Sequence, residues 1–302
     1  MPAHKAGFVA VVGRPNVGKS TLMNALLGQP ILAVSPRPQT TRRNQLSILT
    51  SENSQIVFVD TPGLHEERNK LGEFMNDQAL AALEDADVVL FLTDASEQIN
   101  KEDKLLAKRV KNLENKQSVV LALNKMDLIN EQQLTMRKEE ISSLVPSKNI
   151  LAISATERTG LGDLLVLLQD LMPTGEAYYP EEQVTDLYEK QIAADLIRAS
   201  ALNLLRDEVP HGIAVRIDRF VERGETGARI EATLFVERES HKGIVIGEGG
   251  KMIKEIGSMA RKEIEGMSGR KVFLDVRVKV KANWRQDKKE LERLGYSRKE
   301  EK

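Results

Sequence analysis

Lys19 lies in the run Gly13-Arg14-Pro15-Asn16-Val17-Gly18-Lys19-Ser20, which reads GxxxxGKS and continues with Thr21. These residue types suit one task, the holding of a chain of phosphates. Gly13 and Gly18 let the backbone curl until its N–H groups point inward, and a helix starting at the end of the run adds its positive end. Lys19 supplies a point charge for the β- and γ-phosphates, and the Ser20 hydroxyl suits Mg²⁺. The apolar run Phe8 to Val12 precedes the pattern and a helix-like stretch, Thr21 to Leu27, follows it, as a phosphate loop requires.

Further motifs fall in order. Asp60-Thr61-Pro62-Gly63 follows the apolar stretch Ile56 to Val59. Its carboxylate can hold Mg²⁺ through a water, and the Gly63 N–H can meet a γ-phosphate. Asn124-Lys125-Met126-Asp127 follows Val119 to Leu123. Asp127 can accept from N1–H and the 2-amino group of guanine; adenine lacks that donor pair and would leave the carboxylate unpaired. Asn124 can brace the phosphate loop, and Lys125 can lie over the base. Ser154-Ala155-Thr156 follows Ile150 to Ile153, where a backbone N–H can meet guanine O6. Between the first two motifs, Ser35 to Arg43 carries two prolines and several polar residues and reads as a loop. A Thr hydroxyl in it can reach Mg²⁺ only when the γ-phosphate is present, an order–disorder switch. Thr41 is the first choice, with Thr40 beside it.

The elements that must position these residues alternate. Apolar runs at 8–12, 56–59, 87–93, 118–123 and 149–153 read as buried strands, with helical stretches at about 20–28, 70–83, 101–114, 131–144 and 161–171. That order predicts an α/β domain over 1–172, a mostly parallel sheet with helices on both faces, binding its ligand at the carboxyl ends of the strands. Residues 173–182, with Pro173, Gly175 and Pro180, read as a linker. The remainder, 183–302, reads as an α+β domain. It has a helix over 187–205, strands over 211–222 and 229–237 joined by a turn around Gly224 and Gly227, two short helices meeting at Gly247 to Gly250, and a strand over 271–281.

That meeting point is the second place for chemistry. Ile246-Gly247-Glu248-Gly249-Gly250-Lys251 continues to Ile253, Lys254 and Ile256, an IGxxGxxIxxI pattern. A turn poor in side chains lets a sugar–phosphate backbone approach a helix N-terminus, while Ile246 and Ile253 can line a groove for unstacked bases. This is a KH-type clamp on about four single-stranded nucleotides, and the element order is that of the type II KH arrangement. Glu248 departs from the basic residue often found there. From Lys251 to Lys302 sixteen Lys/Arg oppose nine Asp/Glu, a net +7 in a chain of net −1. A basic region within a neutral protein fits an anionic partner. Trp284 reads as a packing anchor rather than a base-stacking residue, Tyr178 and Tyr179 as packing at the domain junction. His4, His65, His211 and His241 show no ligand spacing.

The chain has 302 residues, enough for two domains, with 41% apolar and 29% charged residues and no cysteine. Disulfides and thiolate metal sites are excluded. No stretch approaches the roughly 18 apolar residues of a membrane span, so a cytoplasmic location is expected.

The ordered set GRPNVGKS, TTR, DTPG, NKMD and SAT resembles the translation-factor-type GTPases. Leu64 stands where Ras-like enzymes carry the glutamine that orients the attacking water. Leucine cannot do this, so backbone groups, a partner or a cation must. By resemblance, Asn16 matches a position that helps ligate K⁺ beside the phosphates. Arg14 reads as a surface residue rather than an arginine finger. Slow intrinsic hydrolysis is expected, near or modestly above the roughly 3–5 × 10⁻⁴ s⁻¹ of unaided Ras. With one GTPase domain followed at once by a type II KH domain, and with QTTRR, DTPGLH, VKVK before Trp284 and LGY at 294–296, nearly the whole chain is similar to the Era family of bacterial GTPases. The single phosphate loop excludes the related double-GTPase family. The resemblance implies a monomer that binds the 3′ end of small-subunit ribosomal RNA while GTP-loaded and acts in assembly of the small ribosomal subunit. It also implies peripheral association with the inner face of the cell membrane. Two other readings stay open: a constitutive RNA-binding module with nucleotide as a structural ligand, and a GTPase acting on a protein or membrane partner.

Overall fold

The computed structural model describes residues 4–63, 69–113, 117–223 and 227–296. It divides into two compact units, the first built from Met1–Gly28, Thr41–Glu66 and Met75–Asp186 and the second from Gln29–Thr40, Glu67–Phe74 and Leu187–Lys302.

In chain order the first part of the molecule runs β1 (Lys5–Val12), α1 (Lys19–Leu27), β2 (Gln45–Ser51), β3 (Ser54–Asp60), α2 (Lys70–Asp85), β4 (Val88–Asp94), α3 (Lys101–Lys111), β5 (Ser118–Asn124), α4 (Glu131–Leu144), β6 (Asn149–Ala152) and α5 (Leu161–Leu171). The strands pair in the order β2-β3-β1-β4-β5-β6, all parallel except β2, which forms an antiparallel hairpin with β3. β3 and β4 are buried at every position, as strands covered on both faces must be. Alternate residues serve the two faces. Ala10, Val12, Val89 and Phe91 join Ala79, Leu83, Leu106, Val110 and Ile141 of α2, α3 and α4 in one core cluster. The opposite face holds Val9, Val11, Leu90 and Leu92, with Leu22 and Met23 of α1 and Leu164 and Leu168 of α5 also buried.

Residues 173–186 run along this unit. The Ala6 N–H donates to the Pro173 carbonyl and Ile48 N–H to that of Val184. Tyr178 packs on Phe8 with ring centroids 4.9 Å apart, and the N–H groups of Tyr178 and Tyr179 both donate to Gln55 Oε1. The buried amide of Gln55 on β3 thus holds both tyrosines to the first unit, and Tyr178 alone also packs on β1.

The second unit contains α6 (Glu189–Leu204), β7 (Ala214–Arg223), β8 (Gly227–Val236), α7 (Glu239–Ile246), α8 (Lys251–Ser268), β9 (Lys271–Val280) and α9 (Lys288–Arg293). β8 pairs antiparallel with β7 and parallel with β9. Ile192, Leu196 and Ile197 of α6 and Ile256, Ala260 and Ile264 of α8 are buried, as are Ile230, Leu234 and Val236 of β8. The order helix, strand, strand, helix, helix, strand is the expected one. One expectation fails: the helix after the glycines is not short. It runs 18 residues to Gly269, because its apolar positions recur on one face for five turns and nothing breaks it earlier. The turn expected around Gly224 falls partly outside the described residues. Trp284 is fully buried and its indole N–H donates to the Gly212 carbonyl at 2.9 Å, a packing anchor.

Candidate nucleotide pocket and nucleic-acid-facing turn

The motif residues of the first unit converge at the carboxyl ends of β1, β3, β5 and β6. Gly18 has φ 99° and caps α1. A Cβ there would lie 2.3 Å from Asn124 Nδ2, and one at Gly13 would lie 2.4 Å from the Leu92 carbonyl oxygen. Lys19 is buried and donates to the carbonyls of Gly13 (2.9 Å) and Arg14 (3.1 Å), which curl the loop around its ammonium. Asn124 does two jobs with one side chain. Its Nδ2 donates to the Val17 carbonyl at 2.8 Å, and its Oδ1 accepts from the Ala155 N–H at 3.0 Å. The GxxxxGKS, NKMD and SAT segments are thereby joined. Ser154 is buried, while Asp127 and Thr156 open to solvent.

Asp60 is fully buried at the end of β3. Its Oδ2 accepts from the Ser20 hydroxyl at 2.8 Å and from the Thr41 hydroxyl at 3.1 Å; the two hydroxyl oxygens are 3.2 Å apart. Burial pushes the Asp60 carboxyl up, against the Lys19 charge and the two hydroxyl bonds. Burial likewise pushes the Lys19 ammonium down, against the Asp60 charge, with Arg14 adding to the fall. Asp60 Oδ1 is buried with no hydrogen-bond partner among the described residues. An orphaned buried carboxylate oxygen beside two hydroxyls is a hard oxygen donor set and fits Mg²⁺. Thr41, not Thr40, belongs to this group: the Thr40 hydroxyl donates to the Arg37 carbonyl at 2.8 Å within its own turn. Thr61 donates to the Val11 carbonyl at 2.8 Å, and a Cβ on Gly63 would lie 3.0 Å from Pro15 Cδ, so DTPG runs against the phosphate loop. Asn16 is exposed with φ 66°.

Arg14 is not the surface residue expected. It is buried, salt-bridged to Glu97, to Asp103 at 3.3 Å and to Asp94 at 4.0 Å. Those acids lie some 80–90 residues further on, so nothing near Arg14 announces them. Asp94, at the carboxyl end of β4, also takes the Lys125 ammonium at 2.5 Å. It escaped the sequence reading although it ends an apolar strand as Asp60 does, and that shared position was the available signal. Leu64 and His65 lie outside the described residues.

In the second unit Gly247 (φ 71°), Gly249 (φ 59°) and Gly250 (φ 77°) form the turn between α7 and α8. A Cβ on Gly247 would lie 2.8 Å from Met252 Cβ; at Gly249 and Gly250 it would meet nothing. Glu248, Lys251 and Lys254 are exposed, Ile246 and Ile253 half-buried. α1 and α8 share a further trait. Each begins at a left-handed glycine with no side-chain cap and no acid in its first turn, whereas α3 and α4 begin with full capping boxes at Asn100 and Asn130. Uncapped first-turn N–H groups are the donors a phosphate takes.

Comparison with known proteins follows this division. Residues 8–125 match the family described as 50S ribosome-binding GTPase, and residues 208–285 match the KH domain family. The whole chain is similar to a crystal structure of Era in complex with MgGDPNP and nucleotides 1506–1542 of 16S ribosomal RNA. Identity is 37%, the match covers 97% of this chain and 99% of that one, and the TM-score is 0.92. It is equally similar to a variant of Aquifex aeolicus Era bound to GDP·AlF4⁻, at 37% identity, the same coverage and a TM-score of 0.91.

Proposed function

The chain belongs to the Era family of GTPases, and on that premise we propose a GTP-hydrolysing switch that binds the 3′ end of small-subunit ribosomal RNA and acts in assembly of the small ribosomal subunit. The observation that carries this reading is the end-to-end likeness to an Era held with both MgGDPNP and a 16S RNA segment. Residues 1–172 serve as the GTPase domain, 173–182 as the linker and 183–302 as the RNA-binding domain.

Lys19 and the loop amides from Gly13 to Thr21 bind the β- and γ-phosphates. Ser20, Thr41 and, through water, Asp60 hold Mg²⁺, which neutralises charge developing on the phosphates. Asp127 selects guanine, Lys125 lies over the base, and the Ala155 N–H meets O6. Thr61, Pro62 and Gly63 sense the γ-phosphate. Because Leu64 cannot orient the attacking water, that task falls to backbone groups, to a partner or to a cation; Asn16 would help hold K⁺, which would supply positive charge beside the phosphates, and intrinsic turnover is slow. Ile246, Ile253, Lys251, Lys254 and the turn Gly247 to Gly250 grip single-stranded RNA. GTP acts by binding the RNA-competent state more tightly than GDP does, since only differential affinity shifts an equilibrium. The protein works as a cytoplasmic monomer with peripheral association at the inner face of the membrane. No helix among the described residues is long and apolar enough to cross a membrane.

Anisotropy of a labelled RNA ending in the small-subunit 3′ sequence tests this, with a non-hydrolysable GTP analogue, with GDP and without nucleotide, at one salt concentration. The expected result is at least about tenfold tighter binding with the analogue, roughly 1.4 kcal/mol of coupling. Equal affinity in all three states would leave a constitutive RNA binder.

A further inference from the structure

Arg198 of α6 is among the most deeply buried large side chains of the molecule, 1% exposed. A guanidinium keeps its charge under all conditions, and a buried charge is costly unless it is paired. Its carboxylate neighbour Asp195 is 3.4 Å away. The other acceptors are main-chain. Nη1 bonds the Gln39 carbonyl at 3.0 Å and Nη2 bonds the Thr40 carbonyl. Nε is buried with no hydrogen-bond partner among the described residues. All three residues belong to the second unit, which takes in Gln29–Thr40.

The Thr40 carbonyl is half of the planar peptide unit whose nitrogen belongs to Thr41. Fixing that oxygen fixes the plane from which Thr41 hangs, and the Thr41 hydroxyl is the one that reaches Asp60 and Ser20. Gln39, immediately before, has φ 64°, a conformation unfavourable for a residue with a side chain. The bond from Arg198 to its carbonyl is one of the contacts that hold it there. Without this segment in place, the guanidinium would be buried without two of its acceptors. The hydrogen bonds thus offset the cost of ordering Gln39–Thr40 and that of burying Arg198 only when both partners are in place. α6 also packs on α8, the helix that opens with the Gly247–Gly250 turn.

We propose that Arg198 is a positioning residue for the nucleotide switch: by clamping the Gln39 and Thr40 carbonyls it sets Thr41 and ties the γ-phosphate state to the RNA-binding unit. This deepens, and rests on, the GTP-switch reading above. It assigns Arg198 no contact with nucleotide or RNA.

The test uses full-length wild type, Arg198→Met, Thr41→Ala and the double variant, with Mg²⁺ present throughout. Methionine fills similar space without charge and leaves the Gln39 and Thr40 carbonyls without their donor, which is the contact under test. Two ratios are read: affinity for a non-hydrolysable GTP analogue over GDP, and RNA affinity with the analogue over that with GDP. The expected result is a wild-type RNA ratio of tenfold or more that falls below threefold in Arg198→Met, with GDP affinity changed less than twofold. The double variant should be no worse than Thr41→Ala, because the two act through one group; a purely structural role would give additive losses. An Arg198→Met protein that keeps the wild-type ratio overturns the proposal. So do additive losses in the double variant. A wild-type ratio near one sinks the switch reading itself, and the clamp with it. Should Arg198→Met lack a native unfolding transition, Arg198→Gln carries the same thresholds.

Discussion

The two glycine turns of this chain both open onto an uncapped helix, yet they are built in opposite ways. At Gly13 and Gly18 glycine is required because other atoms occupy the place of a side chain, the Leu92 carbonyl and the Asn124 amide. The P-loop is closed by a hydrogen bond from Asn124 of β5, itself held by the Ala155 N–H after β6, and its lysine is buried. At Gly249 and Gly250 the space is empty, and only the positive φ asks for glycine. A ligand of fixed length, ending in a γ-phosphate, can be enclosed on all sides. A polymer that enters and leaves cannot, and on the RNA-binding reading proposed above the open turn would take affinity from exposed Lys251 and Lys254 and half-buried Ile246 and Ile253. Packing specifies the first turn; in the second it specifies Gly247, which faces Met252, while backbone conformation alone specifies Gly249 and Gly250.

That contrast can be broken by substitution. The largest effect is expected from Lys19→Ala, which removes a buried charge with its phosphate contacts. Nucleotide affinity should fall by about 100-fold, roughly 2.7 kcal/mol, by titration calorimetry. A loss under fivefold would mean that the amides alone hold the phosphates. Next is Gly18→Ala, which meets both Asn124 and an unfavourable φ. About 2 kcal/mol of stability should go, lowering Tm by about 4–8 °C, and an unchanged Tm would show that the enclosure yields. Gly249→Asp places a carboxylate in open space beside the RNA path. RNA affinity should drop about tenfold, near 1.4 kcal/mol, with nucleotide affinity unchanged; a fall in both would contradict the separation of the two sites. Smallest is Gly250→Ala, where only conformation is strained, about 1 kcal/mol and 2–4 °C in Tm. If it destabilised as much as Gly18→Ala, packing would not be what separates the two turns.

Legibility in the sequence followed the same divide. Motifs whose residues act at fixed short spacing were readable, because the chemistry confines Gly, Lys, Ser and Asp to neighbouring positions at strand ends. The strands of the parallel sheet were readable as apolar runs since both faces are covered. Arg14 was misread because its acidic partners lie on another strand and helix. The single glutamine on β3 that collects the Tyr178 and Tyr179 amides was not legible, because it lies 123 and 124 residues before them. Arg198 was invisible: besides the nearby Asp195, its partners are main-chain carbonyls 158 and 159 residues away, and a carbonyl leaves no mark in a sequence. Buried charges satisfied by backbone are therefore where reading the sequence stops.

The membership of Gln29–Thr40 in the second unit has a consequence for how the protein is made. A ribosome adds roughly 5–20 residues per second, so about 8–30 s separate Thr40 from the Arg198 that holds it, 158 residues later. All six strands of the first sheet have been synthesised before Arg198 exists. On the clamp proposed above, the nascent chain would carry its nucleotide pocket before Arg198, and nucleotide sensing would mature only as the second unit leaves the exit tunnel.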